Sequence, residues 1–190
     1  GNEIWYTTSD NKPIALVNDQ GSCILASNTY SKGMGVLSFH GPLTSIEVPL
    51  TSNADDGLRL TGILIPEGVE RIGKDFPLRV PNIKEFRIPS SLTPTGALIS
   101  LDKTSLERFT GHHVSEDGRC VIIDGILYAF APAGVSSYEI PSGAVRIAEG
   151  AFALTQELKS VVIPEGVTAL ERECFGHSNI ESVTIPASVN

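Results

Sequence analysis

From residue 43 onward the apolar positions of this chain fall into one recurring phrase, apolar-x-x-apolar-x-apolar, closed by proline or a small residue. Its clearest copies are Leu158-Lys159-Ser160-Val161-Val162-Ile163-Pro164 and Ile180-Glu181-Ser182-Val183-Thr184-Ile185-Pro186. Val161 and Ile163 are two residues apart and share one face of a strand, while Ser160 and Val162 share the other. One face is therefore core and the other solvated. Copies begin at Leu43, Leu60, Ile83, Leu106, Val135, Leu158 and Ile180, at intervals of 17, 23, 23, 29, 23 and 22 residues. The downstream half of the unit is regular as well: Pro141 leads to Ala144, Ile147 and Phe152, and Pro164 to Val167, Leu170 and Phe175. Pro66, Val69, Ile72 and Phe76 form an earlier copy. A unit of this length cannot bury its apolar face alone, so units stack into a solenoid with a continuous core.

The pattern predicts seven parallel rungs, with Phe76, Phe152 and Phe175 stacked on the return side. Proline ends each strand because it cannot donate to a ladder. The glycines of Pro66-Glu67-Gly68, Pro141-Ser142-Gly143 and Pro164-Glu165-Gly166 supply the turn that follows.

Two segments break the period. Residues 1–40 carry β-rich runs, Ile4 to Thr8, Cys23 to Ser27 and Gly35 to Phe39, separated by the turn signals Ser9-Asp10-Asn11 and Ser31-Lys32-Gly33. They read as an N-terminal β cap on a solenoid spanning 41–190, since terminal units are normally atypical. The second break, residues 115–134, explains the 29-residue interval. Cys120 to Ile123 and Ile126 to Phe130 flank Asp124-Gly125, the dipeptide that suits a type I′ turn, and predict a β-hairpin on the return side of the coil.

The phrase Ile-Pro-x-Gly-Val-x-x-Ile-x-x-x-Ala-Phe followed by Leu-x-Ser-Val-x-Ile-Pro resembles the BspA-type bacterial leucine-rich repeat. The match runs nearly throughout Ile140 to Ile163, is specific over 135–190, good over 60–92, and suggestive over 43–49 and 93–111. A 23-residue unit lies within the leucine-rich-repeat range of 20 to 29. The resemblance implies a leucine-rich-repeat solenoid, a right-handed coil with a parallel β-sheet on one face. It also implies a bacterial cell-surface or secreted protein, often lipid-anchored, engaged in adhesion and in binding host or bacterial partners. The chain departs from the pattern twice. The Asn ladder of many eukaryotic repeats is replaced by Gly143, Gly166 and Ser188, and the family's Cys three residues before the strand is replaced by Val80, Thr155 and His177, the last expected to pack partly buried.

Composition refines this picture without redirecting it. A 41% hydrophobic and 19% charged chain of 190 residues has material for a core in one domain. A net charge of -8 with no Lys/Arg cluster excludes nucleic acid as a partner. No run of 18 apolar residues is present, so no segment of this sequence reads as a transmembrane helix. An export signal or lipid-attachment cysteine is expected upstream of Gly1. Cys23, Cys120 and Cys174 read as small core residues, Cys174 at the position filled by Ala151 one unit earlier, with a Cys23–Cys120 disulfide as the alternative.

Candidate chemistry is sparse. His112 and His113 are adjacent and point opposite ways on a strand, with no third ligand at metal spacing. Asp55-Asp56-Gly57 and Glu116-Asp117-Gly118 lack the alternating ligands of a calcium loop and read as surface turns. No nucleophile elbow, phosphate loop or dinucleotide motif occurs, and the expectation is a non-enzymatic protein without metal or cofactor. What remains is the solvated face of the sheet. Its outward positions include Ser45 and Glu47, Gly62 and Leu64, then Glu85, Arg87, Arg108, Thr110, Ser137, Glu139, Ser160, Ser182 and Thr184 as the candidate binding residues, with no exposed aromatic among them. Two functions follow. The first is an extracellular or outer-surface module that recognises a protein or glycan through this face, and the second is an assembly unit that self-associates through open solenoid ends.

Overall fold

The computed structural model describes residues 1–73, 76, 80–94 and 105–190. The chain is a β-solenoid capped at its N-terminal side by three antiparallel strands in the order β2-β3-β1. The cap strands are β1 (Glu3–Thr8), β2 (Leu25–Ser31) and β3 (Met34–Phe39), followed by β4 (Ser45–Ile46) and a short helix α1 (Ala54–Arg59). The coil continues through β5 (Leu60–Leu64), β6 (Arg71–Ile72), β7 (Glu85–Ile88) and β8 (Arg108–Gly111). Then come the hairpin strands β9 (Cys120–Ile123) and β10 (Ile126–Phe130). The last turns contribute β11 (Ser137–Glu139), β12 (Arg146–Ile147), β13 (Ser160–Val162), β14 (Ala169–Leu170) and β15 (Ser182–Thr184). The repeat reading over 93–111 extends into 95–104, which lies outside the described residues.

The front of the coil consists of two parallel ladders, β5-β7-β8 and β11-β13-β15, and the return side of β4-β6 and β10-β12-β14. Period-two alternation does what the sequence predicts. Ile63, Phe86 and Phe109 are in register and buried in the first block, as are Tyr138 and Val161 in the second. One rung of the predicted seven is corrected. Ser45 and Ile46 pair with Arg71 and Ile72 on the return side, so the copy starting at Leu43 is the downstream half of a unit, equivalent to Val69 through Ile72. Its 17-residue spacing to Leu60 is the distance from a return strand to the next front strand, and six front strands stand among the described residues.

The core is divided. One cluster includes Ile63, Phe86 and Phe109, and the other Phe130, Phe152 and Val161. The hairpin stands between them, because alternate residues of β9 and β10 face opposite cores: Val121, Ile123 and Ala129 join the first, Cys120, Leu127 and Phe130 the second. Asp124 and Gly125 have φ of 50° and 78°, the left-handed pair a type I′ turn requires. The hairpin's second strand is also the first strand of the return ladder, since β10 pairs in parallel with β12. Phe130, Phe152 and Phe175 form a column at centroid spacings of 4.8 Å and 5.4 Å, so the hairpin supplies the column's first ring. Phe76 instead meets Phe86 edge-on in the first cluster. Full burial of a ring, as at Phe76, Phe86, Phe130 and Phe152, contributes about 1.5–3 kcal/mol, and the partly buried Phe175 contributes less.

Serine hydroxyls tie successive turns where an Asn ladder is missing. Ser91 accepts from the Gly68 N–H (2.9 Å) and donates to the Val69 carbonyl (2.8 Å), and Ser188 does the same with Gly166 (3.2 Å) and Val167 (2.7 Å). His177 is exposed at φ 51°, which corrects its expected packing role. The last unit is one residue short, so the residue equivalent to Thr155 is Ser178. Thr155 donates to the Phe152 carbonyl and Ser178 to that of Phe175, at 2.9 Å and 2.6 Å. Cys174 and Ala151 are both buried, as their shared repeat position predicts, and burial pushes the Cys174 thiol up. Cys23 is not in a disulfide; its sulfur lies 3.5 Å from the Pro42 carbonyl.

Asp56 is a further correction. The Asp55-Asp56-Gly57 stretch opens α1, with Asn53 as N-cap, and Asp56 is 3% exposed. It accepts from the Ala15 N–H and pairs with Arg59, whose guanidinium also reaches Asp10 (2.7 Å) and the Pro13 carbonyl (3.0 Å). This helix of one and a half turns is thereby the clamp that holds the 10–15 loop of the cap to the solenoid.

Candidate functional site

The cap changes the front face. β1 lies antiparallel to β5, so the first ladder continues through the cap as one six-stranded sheet, β2-β3-β1-β5-β7-β8. Its register aligns an outward row Thr29, Val36, Trp5, Leu64, Arg87, Thr110. Two residues along each strand lies a second row, Thr7, Gly62, Glu85, Arg108. The expectation of a stripe without aromatics is therefore overturned: Trp5 is 42% exposed and sits beside Leu64. It was missed because Trp5 lies outside the repeat, and only strand pairing brings it to this face.

Glu85 organises the second row. Arg108 donates to its Oε2 from Nε (3.2 Å) and a terminal nitrogen (2.7 Å), and the Thr110 hydroxyl to its Oε1 (3.3 Å). This hydrogen bond to Glu85 holds the Arg108 guanidinium above its ordinary value. At the corner where the strands begin, Thr61, Lys84 and Glu107 form a third row, with Lys84 3.7 Å from Glu107. Gly62 has no side chain because none fits: a Cβ there would stand 2.6 Å from Thr7 Oγ1, which is fixed by a 2.9 Å hydrogen bond to Thr61 Oγ1. Between these rows lies a shallow cavity of about 310 Å³ lined by Thr7, Thr61, Lys84, Glu85, Glu107 and Arg108.

Of the nine candidate residues, Glu85, Arg87, Arg108 and Thr110 come together on this sheet. Ser137, Glu139, Ser160, Ser182 and Thr184 lie on the outward side of the separate β11-β13-β15 ladder, where Ser160 donates to Ser137 at 2.8 Å. The hairpin separates the two groups.

Other clusters serve the fold. His113 has a ring nitrogen 3.0 Å from the Ser90 carbonyl, and His112 lies 3.7 Å from Glu67. Hydrogen bonding from Ser90 holds the Glu67 carboxyl below the usual carboxylate range. Asp117 pins the turn before β9. Burial opposes its charge, yet bonds from the Ser115 hydroxyl (2.6 Å), the Arg119 N–H (2.9 Å) and the Tyr138 hydroxyl (2.8 Å) leave its carboxyl below the usual range. The Tyr138 hydroxyl also lies 3.2 Å from the Cys120 sulfur, and burial pushes its phenol far above the ordinary tyrosine range. Among the described residues no helix is long and apolar enough to cross a membrane.

Two parallel ladders on the front, short strands on the return side and a 23-residue period define a leucine-rich-repeat solenoid. Over residues 127–190 the chain matches the family model of the BspA type leucine rich repeat region (6 copies). No curated protein matches the chain. Solved structures similar to it include a leucine rich cell surface protein from Faecalibacterium prausnitzii A2-165, at 17% identity and TM-score 0.48, over 70% of this chain and 43% of that one. A leucine-rich repeat protein from Eubacterium ventriosum ATCC 27560 is 20% identical with TM-score 0.45, over 63% and 37% of the two chains. The pneumococcal vaccine antigen PcpA is 16% identical with TM-score 0.42, over 77% and 40%. The chain thus spans less than half the length of each.

Proposed function

We propose that this chain is a non-enzymatic recognition module of an extracellular or cell-surface protein, and that it holds its partner on the front face of the first block. The observation that carries this reading is the fusion of cap and solenoid into one six-stranded sheet. It sets Trp5, Leu64, Arg87, Glu85 and Arg108 side by side on a solvated surface. Aromatic and arginine side chains are the ones that most often dominate binding energy at interfaces. The repeat family supports an interaction role, and attachment to a cell surface, through a lipid or otherwise, is part of the same proposal. The test is binding of the chain to surface glycans and to extracellular matrix proteins, compared with the Glu85→Ala/Arg87→Ala variant. Loss of at least about tenfold in affinity is expected, and binding indifferent to both changes removes the face from the proposal.

A further inference from the structure

The two blocks of the solenoid repeat one row and differ in the next, and the difference locates a ligand. In both blocks the corner row reads hydroxyl, lysine, glutamate. Thr61, Lys84 and Glu107 recur as Ser136, Lys159 and Glu181, linked by the same backbone bonds and by a Lys159–Glu181 pair at 3.6 Å matching Lys84–Glu107 at 3.7 Å. That row belongs to the repeat. The outward row does not recur, for Gly62, Glu85 and Arg108 stand where the second block has Ser137, Ser160 and Ser182. Fold requirements are met by three serines in one block, so the Glu85–Arg108 pair of the other is surplus to them.

On the same sheet, across β5 from the surplus groups, stands an exposed indole whose polar edge is already engaged. Trp5 Nε1 donates to Glu3 Oε2 at 3.0 Å, and the Ser38 hydroxyl donates to Glu3 Oε1 at 3.3 Å. What Trp5 still offers is its apolar ring, in a row with Val36 and Leu64. Thr7, which lines the near wall of the cavity, is one i, i+2 step from Trp5, roughly 7 Å along β1. An apolar platform and a polar cavity therefore stand within the reach of one small chain molecule.

Charge decides which molecule. The cavity has two cations and two carboxylates, joined as Arg108–Glu85 at 2.7 Å and Lys84–Glu107 at 3.7 Å, and it is neutral as a whole. A charged ligand group would gain one side of a pair and lose the other. A hydroxyl can instead accept from a remaining lysine or guanidinium N–H and donate to a carboxylate lone pair while both ion pairs stay intact. Thr7 and Thr61 add hydroxyls at the same wall. We propose that this cavity and Trp5 together bind an uncharged oligosaccharide, one sugar's apolar face resting on the indole and the hydroxyls of sugars further along the chain meeting Glu85, Arg108, Lys84 and Glu107. The inference rests on the front-face reading and names its ligand class.

Trp5 is the single tryptophan of the chain, so its emission reports on this site alone. The intact chain is titrated with neutral gluco-, manno- and galacto-oligosaccharides of two to six sugars, followed by fluorescence and calorimetry. A saturable change in emission is expected for at least one, with an affinity the same at about 0.05 and 0.5 M NaCl, since a neutral ligand has no screened attraction to lose. Arg108→Ala and Trp5→Ala, both at exposed positions, should each weaken binding about tenfold or more, the first through a lost charge-assisted hydrogen bond and the second through the lost apolar platform. Lys159→Ala, the matching corner residue of the second block, should not. If no neutral sugar binds, the inference is overturned. If a charged peptide, protein or sulfated glycan binds instead, with an affinity that falls with salt and with Arg108→Ala, the ligand class is wrong and the face is right. Sugar binding that survives both substitutions overturns the face as well.

Discussion

Cys120 and Val121 are neighbours in β9 and are buried in different hydrophobic cores. A strand with one solvated face cannot do this; the hairpin is apolar on both sides and forms the wall the two solenoid blocks share.

That wall couples them. Leu127→Ala opens a cavity in the second core and is expected to cost about 2–5 kcal/mol. Because Val121, Ile123 and Ala129 of the same hairpin pack in the first core, exchange protection should fall at the Ile63 and Phe86 amides as well as at Val161. Loss confined to the second block would show that the blocks unfold independently.

Gly125→Ala tests the turn that builds the wall. The position has φ 78°, and a Cβ there would meet the Val145 side chain at 3.3 Å. A left-handed alanine costs about 1–2 kcal/mol, to be read as a lower urea midpoint. An unchanged midpoint would mean that the turn relaxes to another type.

Gly62→Ala is expected to strain the seam between cap and solenoid, since its Cβ would stand 2.6 Å from Thr7 Oγ1. Overpacking of this kind costs about 1–3 kcal/mol. Thr7→Ala removes the obstructing oxygen, while Thr7 Cβ, at 3.8 Å, is an ordinary neighbour. The double variant should therefore recover most of the loss, and a double-mutant cycle with no coupling would contradict the contact.

The buried phenol of Tyr138 predicts an alkaline limit to stability. Burial raises its folded pKa above the unfolded value of 10.0, so the stability tied to the neutral phenol is complete below that pH. Above it the unfolded chain ionises while the folded one does not, and the contribution is lost as pH rises. Tyr138→Phe should be less stable at neutral pH by about 1 kcal/mol, the net worth of a hydrogen bond, and should show a shallower decline above about pH 10. Raised phenols at Tyr6 and Tyr128 leave part of the decline in place. A decline as steep as in the parent chain would assign it to those two and to the buried Cys174 thiol.

The solenoid was legible because its signals are local. Alternation in Ser160-Val161-Val162-Ile163 assigns faces whatever the strand lies beside, and Asp124-Gly125 specifies its own turn. The errors arose where a short pattern has two valid readings. Leu43 to Pro49 fits a front strand by its apolar spacing, but Ser45 and Ile46 pair on the return side, because both halves of the unit place apolar residues at i and i+3. Asp56 looked like a surface turn because a six-residue helix is too short to show a 3.6 period.

The period, the faces of the strands, the hairpin and the outward positions Glu85, Arg87, Arg108 and Thr110 could all be read along the chain. Side-chain alternation and turn chemistry depend only on near neighbours in the chain. The tertiary structure decided which strands lie side by side. It placed β1 against β5 and so carried Trp5 beside Leu64, across nearly sixty residues of chain, and it left Ser137, Ser160 and Ser182 on another ladder. Pairing of this kind is settled by which unpaired edge and apolar surface most need covering once the coil has formed, a quantity that no window of residues contains.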